Sequence, residues 1–173
     1  MAGTPEYLTL RRNRDQAGRR EVRVRRALVV LVSLLLVAGL LNAFGQRPAT
    51  SKAAAAAASL KVYAPDRVRG GLLYEARFNV TARRDVKNAT LVLSSGWLEG
   101  ITINTIEPSP VGSASRNGDL SYDLGHIPAG ESYILFVQQQ VNPTTVSRRT
   151  QRAELWDGER HLLTIERPFT VWP

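Results

Sequence analysis

The sequence predicts an all-β protein, one sandwich of seven or eight short strands, preceded by a single transmembrane helix. Three observations carry this. An uncharged run of eighteen residues, Ala27 to Phe44, stands between Arg25-Arg26 and Gln46-Arg47. From Leu60 onward apolar and polar residues alternate, broken by turn residues about every ten positions. No cysteine occurs in the 173 residues, so an exported domain must rest on its hydrophobic core rather than on disulfides.

Each part of the chain follows from these. As a helix rising 1.5 Å per residue, 27–44 would cover about 27 Å, close to the roughly 30 Å hydrocarbon core. Its polar residues do not disqualify it: Ser33 can bond back to its own helix, and Asn42 lies near one end. Eight arginines fall in the sixteen residues before the run, among them Arg19, Arg20, Arg23, Arg25 and Arg26, against Arg47 and Lys52 in the fifteen after it. That asymmetry places the N-terminus in the cytoplasm and everything from Gly45 outside a plasma (inner) membrane. A cleaved export signal is the rival reading, since it too pairs a basic stretch with an apolar core. The length of the core, and Asn42-Ala43-Phe44-Gly45 without paired small residues before a cut, favour an uncleaved signal-anchor. Gly39 and Ala43, four apart, are a candidate helix contact.

Four segments result. Residues 1–26 form a basic cytoplasmic tail with too few apolar residues for a domain, expected to be disordered or to lie on the inner leaflet. Residues 27–44 are the transmembrane helix. Residues 45–59, GQRPATSKAAAAAAS, read as a Pro/Ala-rich linker. Residues 60–173 form the outer domain. The net charge of +8 is uneven: the tail sets eight arginines against Glu6, Asp15 and Glu21, and the rest sets fifteen Lys and Arg against twelve acids. The excess lies beside the bilayer rather than on the domain, which argues against nucleic acid as a partner. This composition suits a bacterial cell-envelope protein.

Strands are predicted at Leu60–Tyr63, closed by Pro65, and at Tyr74–Thr81, where Tyr74, Ala76, Phe78 and Val80 mark the buried face. Others fall at 89–93, 101–106, 120–124 and 133–141, with 111–119 read as a Gly/Ser/Asn-rich loop. Asp157-Gly158 is a two-residue turn signal joining 153–155 to 163–171 in a hairpin.

The stretch Leu120 to Val141, LSYDLGHIPAGESYILFVQQQV, resembles the signature of Ig-like surface repeat domains of bacteria, related to the cell-adhesion-related domain. Ala89 to Pro110 follows the same family's strand order. The resemblance implies an Ig-like sandwich used as a spacer, an adhesion module or an accessory lobe, and it carries no catalytic residues to this chain. Gly130 suits it physically, because a tight turn between strands wants a residue free to take positive φ.

No constellation for chemistry emerges. His126 and His161 lack metal spacing, so no metal or other cofactor is expected. Glu154, Asp157, Glu159 and Glu166 alternate with Arg152, Arg160 and Arg167 as cross-strand ion pairs would. No Gly-x-Ser-x-Gly elbow or phosphate loop occurs, and no enzyme is predicted. Trp97-Leu98, between Gly96 and Gly100, is apolar bulk at a predicted turn: either a tip that contacts a partner, or a plug folded back onto the sandwich. Arg148, Arg149 and Arg152 offer a possible cationic edge. The expected function is a membrane-anchored, non-catalytic binding or accessory module with a membrane or envelope protein partner. The alternative is a transmembrane regulator signalling through the arginine tail.

Overall fold

The computed structural model describes residues 10–43 and 45–173, and the chain divides into two compact units at residues 43 and 44. Residues 1–9 of the predicted tail and Phe44, and the side chains of residues 10–17, Arg19 and Arg116, lie outside the described residues.

The first unit is one helix, α1 (Leu10–Leu40), continuous through the predicted tail and the predicted span. It ends earlier than the apolar run. Asn42 adopts φ 54° and closes the helix with paired bonds, Ala43 N–H to the Ala38 carbonyl at 3.0 Å and Asn42 N–H to the Gly39 carbonyl at 3.0 Å. This is a left-handed cap of the kind asparagine tolerates. The uncharged helical part, 27–40, is therefore about 21 Å long. Among the described residues no helix is long and apolar enough to cross a membrane.

The second unit is all-β. Its strands are β1 (Arg47–Ala54), β2 (Ala58–Arg69), β3 (Leu73–Ala82), β4 (Val86–Leu93), β5 (Ile101–Glu107), β6 (Gly112–Arg116), β7 (Asp119–Ile127), β8 (Ser132–Val141), β9 (Ser147–Asp157) and β10 (Arg160–Trp172). They form one curled sheet in the order β5-β8-β3-β2-β10-β9-β4-β7-β6, with β1 also on β2. The switch point is β2: its first half, 58–63, pairs antiparallel with β3, and Arg67–Arg69 pair parallel with Thr170–Trp172 of β10. Folded there, the sheet closes over a core drawn from both halves, including Phe78, Val80, Leu91, Leu135 and Leu155. A smaller cluster of Val68, Tyr74, Val141, Phe169 and Val171 lies beside it.

Two segments depart from the sequence reading. The predicted linker is a strand: Thr50 to Ala54 pair residue by residue with Tyr63 to Ser59, and Ala53 and Ala55 pack on the core. Alanine favours helix and linker readings, yet here the small side chains suit a half-covered edge beside β2. The predicted 111–119 loop is the β6–β7 hairpin, turning on Asn117 at φ 52° and Gly118 at φ 85°. That Asn-Gly pair is a strong hairpin signal. The β9–β10 hairpin at Asp157-Gly158 forms as predicted, and Gly130, at φ 86°, turns β7 into β8.

Candidate functional site

The predicted docking tip is not a tip. Trp97 closes a short 3-10 turn, Ser95–Trp97, and is wholly buried; its ring meets Phe78 edge-on at 5.1 Å and lies 5.7 Å from the Arg167 guanidinium. Leu98 is half-buried against the same core. An indole enclosed on every side is a plug rather than a partner contact. Gly39 and Ala43 do not share a helix face either, because Ala43 lies in the turn after α1.

The predicted cationic edge also divides. Arg148 is exposed, Arg149 turns inward 5.6 Å from the Phe169 ring, and Arg152 holds Asp119 at 2.9 Å and Glu154 at 3.0 Å. Strand alternation explains this, since successive side chains of β9 face opposite ways. Both histidines are exposed: His126 hydrogen-bonds Asp85 at 2.6 Å, and His161 bonds Thr164 at 2.8 Å while packing on Trp156.

Between the two apolar clusters lies a polar layer that the sequence did not reveal. Arg167 stands opposite Gln151, Arg149 opposite Phe169, and Tyr74 opposite Gln139. Arg167, Gln151 and Gln139 are buried. Gln139 donates to the Trp97 carbonyl at 3.1 Å, and Arg167 donates from Nη2 to the Ala64 carbonyl at 2.7 Å, while its Nε and Nη1 have no partner. In sequence Arg167 alternates with acids and looked like a surface ion pair. Burial holds both guanidinium groups below their usual range and pushes the Tyr74 phenol well up, outweighing the two arginines nearby.

The tyrosines make the fold sensitive to alkali. Burial pushes Tyr122 up to about 12, and Tyr74 is raised as well, whereas in the unfolded chain both ionise near 10. Raised folded values mean that this contribution is whole below about pH 10 and is lost as pH climbs above it, by about 1.4 kcal/mol per unit for each tyrosine. Urea midpoints measured from pH 9 to pH 12 are expected to fall steeply above pH 10, and less steeply in Tyr122→Phe.

The outer face of the β1-β2-β3-β8 half presents another group. In one row across the strands lie Thr50, Tyr63, Arg77 and Phe136; in the next lie Lys52, Lys61, Asn79 and Ile134. The Arg77 guanidinium sits 5.6 Å from both the Tyr63 and Phe136 ring centres and is paired with Glu75. Two recesses open on this face, of about 350 and about 380 Å³. The sequence set Arg77 off the buried face of its strand and put Lys61 on a predicted strand, but with β1 unrecognised it could not set Lys52 beside Lys61.

No family model matches the chain, and no curated protein matches it in sequence. Among solved structures it is similar to a CARDB domain from Pyrococcus furiosus in complex with di-metal ions, at TM-score 0.43 and 14% identity over 74% of this chain and 91% of that one. It is also similar to a FixG-related protein from Vibrio parahaemolyticus, at TM-score 0.34 and 11% identity over 60% and 82% of the respective chains. A third similarity is to a glycoside hydrolase family 2 beta-glucuronidase, at TM-score 0.34 and 13% identity, where the chain covers 11% of the enzyme.

Proposed function

We propose that the protein is a membrane-anchored, non-catalytic binding module, with its sandwich outside a plasma (inner) membrane and its arginine-rich start in the cytoplasm. The observation that carries this is the surface of α1: every leucine and valine from Leu28 to Leu41 is at least half exposed, on all sides of the helix. Such a surface costs about 25 cal/mol for each Å² left in water and calls for an apolar surrounding. The uncharged run 27–44 of the sequence supports a crossing, and the arginines before it set its direction. An accessory role in an envelope complex fits a sandwich whose described groups assemble no reacting constellation.

The absence of cysteine makes the test clean. Gly18→Cys and Ser115→Cys, each the single thiol of its chain, would be probed with an impermeant maleimide in intact cells. Labelling of Ser115→Cys alone, with the full-length chain resisting alkaline carbonate, is the expected result. Release by carbonate, or a chain cut after the apolar run, would overturn the anchor.

A further inference from the structure

We infer that the outer face of the β1-β2-β3-β8 half binds an anionic glycan strand, its uronate carboxylates held by Lys52, Lys61 and Arg77 and its ring faces lying on Tyr63, Phe136 and Ile134. This deepens the binding-module reading and rests on it, but it does not depend on anchorage.

The first argument is a local cost. Lys52 and Lys61 are directly opposite in register and both exposed. Like charges so placed, with Cβ atoms about 5 Å apart, weaken a sheet. No carboxylate lines either recess to relieve them, and Arg77 and Arg83 add to the same sign. Glu75, on the same side of β3, is engaged with Arg77. Departures of this kind from local consistency concentrate where a ligand compensates them.

The second argument is the company these charges keep. Tyr63 is 39% and Ile134 40% exposed, apolar surface in the middle of a cationic face. The Arg77 guanidinium is steadied by two aromatic rings and a carboxylate, so its planar fork is presented to a carboxylate with little ordering left to do. Ser59, Asn79 and Thr81 supply hydroxyl and amide groups for sugar hydroxyls. The recesses share Lys61 and Asn79 and so adjoin. Strands about 4.8 Å apart place successive side chains at close to the length of one sugar unit. An acidic peptide offers charge without flat C–H faces, and a bilayer is too flat to enter a recess.

The test titrates the full-length chain in detergent with four probes: a galacturonic-acid oligomer, its methyl ester, poly-glutamate and glycerophosphoglycerol, the soluble headgroup of phosphatidylglycerol. The acid oligomer is expected to bind at least about tenfold more tightly than the ester. The Lys52→Gln/Lys61→Gln double variant is expected to lose about tenfold in affinity while its melting temperature holds or rises, because the like-charge pair is gone. Equal binding of the ester, or full affinity in the double variant, would overturn the proposal. Poly-glutamate binding as tightly as the oligomer would mean a peptide surface, and the lipid headgroup doing so a lipid surface. Either outcome defeats the glycan assignment while leaving a binding module.

Discussion

Replacing Trp97 with alanine is expected to destabilise the β domain by about 4 kcal/mol, within the range for losing a large buried aromatic. The indole does two things at once. It fills the core against Phe78 and it covers the buried Arg167 guanidinium. Alanine leaves a void on one side and an uncovered cation on the other. Urea denaturation of the full chain followed by circular dichroism reads the loss directly. Leu98→Ser, at a half-buried position, is expected to cost clearly less; equal losses from the two would contradict the plug.

Gly96→Ala, one residue earlier, is expected to cost about 3 kcal/mol, the upper part of the usual range for overpacking. A Cβ at Gly96 would meet the Thr150 carbonyl oxygen at 2.1 Å, with Gln151 Cα at 3.3 Å, and these are backbone atoms in the middle of β9. They cannot swing aside. The turn is tied to the same strand: Ser94 N–H donates to the Arg152 carbonyl at 3.0 Å, and Arg152 N–H donates to Ser94 Oγ at 3.1 Å. Gly118→Ala supplies the contrast. Its site is open, and only the positive φ of 85° is strained, a loss of about 1 kcal/mol. The difference between the two midpoints separates close approach from backbone preference.

The strands with strict alternation, β3 and β8, and the Asp157-Gly158 hairpin were legible because one buried face writes a period of two into the sequence. Elements built from small residues were not. β1 spends its inward positions on alanine and serine, and β6 on a Ser/Ala run, so neither carries hydrophobic contrast. The candidate face was half legible: the alternation of β3 set Arg77 and Asn79 opposite its buried face, and Lys61 and Tyr63 fell on a predicted strand, while the partner of Lys61 lay in a presumed linker. The polar layer was hidden for the opposite reason. Arg149 and Arg167 look like surface charges, and only register shows that they point between the sheets. Trp97 misled because its glycines suggested an exposed loop, whereas Gly96 is there to let that loop press against β9.

The parallel pairing of Arg67–Arg69 with Thr170–Trp172 sets the order of assembly. About a hundred residues separate the two segments, so the loop they close is nearly the whole domain, and the entropy of closing it must be met before that contact repays anything. A ribosome delivering the chain from its first residue releases β10 last. Until then the far end of β2 and the inward arginine of β10 have nothing to pack against, and the sandwich closes only once the domain's final strand has emerged.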